Sequence, residues 1–355
     1  MSRSEEYTGL VQESTHVRRM KVMSNALGLI GDTPLLKLGR ITKGLGVNIY
    51  VKCEHLNPSG SIKDRMALRM VEEAENGRRL KPGGTIIEQT SGNTGPALAF
   101  VGGVKGYEVR LFIPSKWTGT FNPVDRIRIM GFFGGEVEAL DLAEYEGILK
   151  NLSDEVKAAA AIVVGMKRCF ELERSDPKVW WPNQMCNVNN ALAHRDTTGR
   201  EILDQLQGRV DGWVASIGTG GTLLGVSEAL RREDKAVRVV GVEPADAPFL
   251  GWVRDGTIHR FLDIFGVPGM KFLTETMLEK GLPDEVVTVT DGDAREMAYR
   301  LCRDEGLFCG ISSGANVVAA IQLAKRLGRK ANVVTVLVDR RDRYFSEHPA
   351  EHYVV

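Results

Sequence analysis

The chain lacks any long apolar run. No stretch approaches the roughly 20 apolar residues that a membrane helix needs, and the opening MSRSEEYTGL carries no secretory-type apolar segment. An excess of one charge is also missing, since 46 Lys and Arg stand against 46 Asp and Glu. Proteins that grip nucleic acid or a membrane surface normally show a basic surplus, so neither partner is expected. Cysteine is scarce: Cys53, Cys169, Cys186, Cys302 and Cys309 are odd in number, scattered and never arranged as CxxC. That argues against a disulfide frame or a structural zinc site and fits reduced thiols in a cytoplasmic protein. Internal repeats and low-complexity tracts are absent too. What remains, 43% apolar and 26% charged over 355 residues, is ordinary for a globular chain of about two domains.

Apolar, β-branched runs alternate with helical patterns over most of the length. Strands are expected at 48–52, 85–88, 109–113, 212–217, 238–243, 286–289 and 332–338. Helices are expected at 66–75, 95–102, 222–231, 294–305 and 316–327. This alternation implies an α/β chain with parallel sheets covered on both faces. Two such domains with a cleft between them is the natural arrangement, with ligands at the carboxyl ends of strands. Residues 1 to about 27 read as a polar arm, and 144–176 as a charged, helix-forming elaboration between sheet units.

Chemistry concentrates in four turns. In Asn57-Pro58-Ser59-Gly60-Ser61-Ile62-Lys63-Asp64-Arg65 a lysine stands where a glycine-containing loop becomes an amphipathic helix. Desolvated there, its amine would titrate low enough to attack a carbonyl carbon; a solvated lysine in a first helical turn is the bland alternative. Thr90-Ser91-Gly92-Asn93-Thr94-Gly95 follows a strand and precedes a helix with Pro96 in its first turn. Its amides and hydroxyls suit a carboxylate, although simple N-capping would use the same residues. Gly218-Thr219-Gly220-Gly221-Thr222 leaves the strand ending at Ile217. It has no P-loop lysine, and Leu223 stands where a dinucleotide fingerprint needs glycine, so a phosphate held by backbone and hydroxyls fits better than ATP. The fourth turn, Cys309-Gly310-Ile311-Ser312-Ser313-Gly314-Ala315, reads in isolation as a serine cap. A fifth pattern, His348-Pro349-Ala350-Glu351-His352, has zinc-peptidase spacing, but Pro349 interrupts the helix that spacing requires. No metal is expected.

A carbonyl-reactive lysine, a carboxylate turn and a cation-free phosphate cup together suit pyridoxal phosphate acting on an amino acid. The chain resembles the cysteine synthase and cystathionine β-synthase family of fold-type II pyridoxal-phosphate enzymes. The resemblance is almost continuous over 52–95 and recurs at 183–199, 218–222 and 310–315, with weaker similarity from about 25 to 345. It implies two three-layer α/β domains with mostly parallel twisted sheets, like the tryptophan synthase β-subunit. On that basis residues 1–34 are an arm and the start of the large domain, 35–56 and 68–187 a smaller substrate-side domain, and 57–67 and 188–355 a larger cofactor-binding domain.

Carried over by resemblance, Lys63 binds pyridoxal 5'-phosphate covalently and Asn93 meets its phenolic oxygen. Gly218, Thr219, Gly220, Gly221 and Thr222 hold the phosphate, and Ser312 meets the pyridine nitrogen. Thr90, Ser91, Thr94 and Gln184 grip the substrate carboxylate. A neutral serine at the ring nitrogen leaves the ring a weaker electron sink than an aspartate would, which favours loss of a β-substituent in step with Cα deprotonation. The implied reaction is β-replacement on an activated L-serine, such as O-acetylserine, by sulfide or another small nucleophile through an α-aminoacrylate. A β-eliminating lyase, a cysteine desulfhydrase or serine dehydratase, is the alternative, and a homodimer is implied. Three segments depart from the family: 114–121, 261–271 and Asp339-Arg340-Arg341-Asp342-Arg343-Tyr344, where a small serine-rich run is usual before arginine-tyrosine.

Overall fold

The computed structural model describes residues 22–114, 123–245 and 248–347. The first part of the arm, most of the divergent 114–121 segment and the His348–His352 pattern lie outside them. Ten strands form two sheets among these residues. The larger contains β1 (Leu35–Lys37), β2 (Asn48–Lys52), β7 (Gly212–Ser216), β8 (Arg238–Pro244), β9 (Glu285–Val289) and β10 (Asn332–Val336), in the order β1-β2-β10-β7-β8-β9. The smaller contains β3 (Thr85–Gln89), β4 (Glu108–Pro114), β5 (Glu136–Leu140) and β6 (Val179–Trp180), in the order β5-β4-β3-β6. All pairings are parallel except β1 with β2.

The period-2 alternation of strand side chains assigns each residue to one of two apolar layers. In the larger sheet Val214, Val240 and Val333 pack on helices Asp291–Glu305 and Ile311–Leu327 through Met297, Leu301, Val317 and Leu323. Their neighbours Trp213, Ala215, Val239 and Val334 face the opposite way, onto Ile202, Leu223, Val226 and Leu230. The smaller sheet is built alike. Ile86, Val109 and Leu111 lie under α1 (Lys63–Asn76) and α2 (Thr94–Lys105), whereas Ile87 and Phe112 pack on helix Asp154–Ser175. Both units are therefore three-layer, as expected.

Three placements correct the expected division. Strands β1 and β2 pair within the larger sheet, β2 lying beside β10 from Asn48↔Asn332 to Val336↔Lys52, so 35–52 does not join the smaller unit. Residues 249–272, expected with the larger unit, pack on the smaller: Phe249, Trp252, Phe261, Leu262 and Phe265 share a cluster with Ile87, Phe112 and Trp181. Five bulky side chains need an apolar floor, and that face of the smaller sheet provides it. Met66 and Ala67, expected with the larger unit, lie in the smaller unit's core with Ile86, Val109 and Leu111. Apart from the division, helix Asp154–Ser175, read as an elaboration, forms part of the same layer as 249–272 through Ala159, Ala160, Val163 and Cys169. Its many charges occupy the outward stripe of an amphipathic helix.

One buried ionic cluster fixes the approach to the first chemical turn. Arg65 donates from Nε and Nη2 to both oxygens of Glu54 at 2.7 Å, and from Nη1 to Glu201 at 2.6 Å. Lys52 Nζ meets the other oxygen of Glu201 at 2.6 Å. Burial alone would raise the pKa of Glu54, but the Arg65 guanidinium holds it down to about 2. Replacing Arg65 with Met is expected to cost about 3–5 kcal/mol, because it strands a buried carboxylate. The sign with pH follows. The stabilisation is complete above the ordinary glutamate value of 4.5 and is lost as pH falls from there towards about 2. Thermal unfolding of both proteins between neutral and acid pH checks this; equal acid sensitivity would contradict it.

Candidate active site

Lys63 stands at the first residue of α1, and the loop before it is tied down on both sides. Gly60 sits at φ +89°, where a Cβ would come within 3.1 Å of the Arg340 and Arg343 guanidinium groups. Arg343 donates to the carbonyl oxygens of Ser59 and, at 3.0 Å, Gly60. The Ile62 amide donates to the Val338 carbonyl at 2.9 Å. Within the turn, Asp64 accepts from the Ser59 amide at 2.7 Å and from its hydroxyl. The amine of Lys63 has no hydrogen-bond or ion-pair partner among the described residues, and desolvation alone lowers its pKa from 10.5 to about 8. The positive end of the α1 dipole acts in the same direction.

Lys63 opens onto a cavity of about 260 Å³, close to the lower end of the ~300–1,000 Å³ that small-molecule sites span. Its lining brings together Lys63, Asn93, Gly218, Thr219, Gly220, Thr222 and Ser312, four turns distant in sequence. Three of them meet because the loops leaving β2, β3 and β7 emerge at the carboxyl ends of parallel strands; the serine turn, which opens helix Ile311–Leu327, is held beside them by the segment after β10, where the Asp339 carbonyl accepts from the Gly310 amide at 2.9 Å. Ser312 lines the cavity, while its neighbour Ser313 turns inward and accepts from the Val338 amide at 2.9 Å.

The glycine-rich turn enters helix Gly221–Glu233 through Gly220 at φ +84°. Gly221 heads the helix but does not line the cavity; a Cβ there would lie 2.1 Å from Asn190 Oδ1. That space lets Asn190 Nδ2 donate to Thr219 Oγ1 at 2.9 Å, and the Gly221 amide donates to the same oxygen at 3.3 Å. With its oxygen so supplied, the Thr219 hydroxyl hydrogen is free for an anion. His194 lies 3.2 Å from Thr222 Oγ1 through Nε2 and 3.1 Å from Thr198 Oγ1 through Nδ1. Burial, assisted by the Lys63 charge, depresses its pKa to about 3, so the ring is neutral. When Nε2 carries its proton, Thr222 is likewise left with a hydrogen to give.

The expected carboxylate grip forms a second group, apart from this lining. Thr94 Oγ1 donates to Gln184 Oε1 at 2.5 Å, Gln184 Nε2 donates to the Gln89 carbonyl at 3.2 Å, and Thr90 Oγ1 accepts from the Gly92 amide at 3.1 Å. Ser91 is half-buried in the same turn, next but one to Asn93. Behind them Glu88, raised to about 7 by burial, accepts from the Gln184 amide and Trp181 Nε1, each at 3.0 Å. Asn190 and His194 were not singled out in the sequence, although both fall inside the 183–199 resemblance, and Asp339 was marked only as the start of a departing segment. Of the divergent segments, 261–271 is absorbed into the apolar layer and does not line the cavity. The Asp339–Tyr344 run, by contrast, abuts the site.

An unpaired amine lowered by desolvation on one wall, glycines and hydroxyls without a cation on another, and a serine hydroxyl on the lining fit pyridoxal phosphate. The class so defined is a fold-type II pyridoxal-phosphate enzyme. The chain belongs to the pyridoxal-phosphate dependent enzyme family, whose model matches residues 26–339. It is similar to a cysteine synthase of Staphylococcus aureus, 37% identical over 327 residues, spanning 92% of this chain and 96% of that one. Among solved structures it is similar to an O-acetylserine dependent cystathionine β-synthase from Helicobacter pylori, at TM-score 0.74 and 30% identity, covering 92% of this chain and 98% of that one. A hydrogen sulfide-producing enzyme from Fusobacterium nucleatum gives TM-score 0.75 and 32% identity over 92% and 99%.

Only the neutral amine attacks an aldehyde, and with a pKa of about 8 roughly a tenth of Lys63 is neutral at pH 7. Cofactor uptake by the stripped protein should therefore accelerate with pH, with a midpoint near that value, when followed by visible absorbance. A midpoint near 10.5 would identify a solvated lysine. Lys63→Ala should bind without acquiring the coloured covalent form. Separately, Thr222→Ala should weaken cofactor retention on dialysis more than Thr94→Ala, which should chiefly raise substrate KM; the reverse order would contradict these assignments.

Proposed function

We propose that the protein catalyses β-replacement on an activated L-serine of the O-acetylserine type, with sulfide or another small nucleophile entering at the β-carbon. The observation that carries this reading is the amine of Lys63, lowered to about 8 by desolvation and facing a cavity walled by neutral anion donors. In this reading Gly218, Thr219, Gly220, Gly221 and Thr222 hold the phosphate of pyridoxal phosphate, Ser312 meets its ring nitrogen, and Asn93 meets its phenolic oxygen. The bound cofactor supplies an electron sink for the Cα–H bond of the amino acid.

The remaining chemistry belongs to the chain. Thr90, Ser91, Thr94 and Gln184 bind the substrate carboxylate, and the bond between Thr94 and Gln184 holds their polar ends together until it arrives. The Lys63 Nζ lone pair takes the Cα proton and later returns it, a task suited to a group that titrates near the operating pH. Acetate leaves with the electron pair of the Cβ–O bond, and sulfide supplies the pair for the new Cβ–S bond. A neutral serine at the ring nitrogen supports departure of the β-group over prolonged storage of charge on the ring. A homodimer in the cytoplasm completes the reading. Elimination without replacement is the second reading, favoured by the likeness to a hydrogen sulfide-producing enzyme.

Supplied with O-acetylserine and sulfide, the loaded enzyme should form cysteine and acetate in equal amounts. Pyruvate and ammonia without cysteine would overturn replacement in favour of elimination.

A further inference from the structure

The Asp339 carboxyl group is fully buried, and only half of it has hydrogen-bond partners among the described residues. Oδ2 accepts from Asn93 Nδ2 at 2.7 Å and from the Tyr344 hydroxyl at 2.8 Å. Oδ1 is buried with no hydrogen-bond partner. Oδ1 lies where a side chain on residue 310 would begin, 2.1 Å from a Cβ built on Gly310. Gly310 in turn precedes helix Ile311–Leu327, which carries Ser312. The backbone of Asp339 bridges Ser61 in the lysine turn and accepts from the Gly310 amide at 2.9 Å. One residue thus touches the turns that bear Lys63, Asn93 and Ser312. A buried carboxylate with an unpartnered oxygen is costly, so its presence calls for a reason.

Asn93 supplies one. Its carboxamide is pinned at both ends: the nitrogen donates to Asp339, and the oxygen lies 3.5 Å from Arg343 Nη1. That fixes which way the amide faces. Of its two N–H bonds one is committed to Asp339, and Asn93 also lines the cavity. Donation to the Asp339 carboxyl oxygen polarises the amide, which makes the second N–H a stronger donor.

We propose that Asp339 is a positioning residue that holds the Asn93 carboxamide with its free N–H directed at the cofactor's phenolic oxygen, and so sets the strength of that hydrogen bond. The proposal rests on the role given to Asn93 under the proposed function. Its test compares wild type, Asp339→Ser, Asp339→Asn, Asn93→Ala and the Asp339→Ser/Asn93→Ala double variant. Each is loaded with pyridoxal phosphate, and the visible absorption maximum, cofactor dissociation constant and melting temperature are measured. Asp339→Ser should displace the maximum and weaken retention roughly three- to tenfold, the worth of one hydrogen bond. Asp339→Asn, which keeps an oxygen acceptor, should restore both. In the Asn93→Ala background the serine substitution should add no further shift. An unchanged spectrum in Asp339→Ser, even with a lower melting temperature, would overturn the proposal; so would an equal shift in both backgrounds. If Asn93→Ala alone leaves the spectrum unchanged, the Asn93 assignment fails and the proposal with it. Should Asp339→Ser not fold, Asp339→Thr, whose hydroxyl is too short to reach Asn93 but whose bulk fills more of the space, makes the same comparison.

Discussion

Everything at this site depends on keeping one amine desolvated and without a counter-ion. A carboxylate beside Lys63 would restore its proton affinity towards that of a free lysine and silence it as a nucleophile. The chain deals with two neighbouring interior cations in the opposite way. Lys52, eleven residues before Lys63, and Arg65, two after it, are matched by Glu54 and Glu201. The first turn of α1 also carries Asp64, the nearest acid in sequence, but Ser59 occupies its oxygens and draws it back onto the preceding turn. Pairing two cations tightly and leaving the third unpaired is how one short segment supports both stability and chemistry.

The anion side obeys a complementary rule. A lysine or arginine in the glycine-rich turn would strengthen phosphate binding, but that cationic donor would stand on the wall of the cavity that holds Lys63. Neutral donors avoid this competition, and they must then be oriented. Asn190 and the Gly221 amide do so for Thr219, and the Thr198–His194 pair does so for Thr222. His194 can serve only while uncharged, and burial beside Lys63 keeps it so. The amine and the imidazole therefore constrain each other: a proton on either makes a proton on the other less favourable.

Much of this was legible in the sequence. The seven expected strands are all present, because buried parallel strands write themselves as continuous β-branched runs. The strands that escaped notice are β1, β5 and β6: β1 and β6 span only 3 and 2 residues, and β5 reads Glu-Val-Glu-Ala-Leu, with too little buried surface to leave a pattern. Which sheet a segment joins was not legible, since β2 and the 249–272 aromatics are sorted by pairing and packing between residues far apart in sequence. At the site, Lys63, Asn93, Thr219, Thr222 and Ser312 were recoverable because each lies in a glycine- or hydroxyl-rich turn beside a strand or helix. Asn190 and His194 sit within helical turns, where nothing local distinguishes them from ordinary polar residues.

Asp339 shows the limit most clearly. In sequence it opens a charged run, Asp-Arg-Arg-Asp-Arg, marked only as a departure from the family's serine-rich segment. In the structure Asp339 and Arg343 are fully buried, because backbone bonds from Ile62 and Gly310 and to Gly60 draw the segment between the lysine turn and the serine turn. A small residue at 339 would satisfy those backbone bonds equally well. The carboxylate adds a side-chain tie to a third turn through Asn93, at the expense of an oxygen without a partner and a position where only glycine fits at 310. Fold and site meet there: the backbone of one segment fastens the lysine turn to the serine turn, and its first side chain reaches Asn93 on the lining of the cavity.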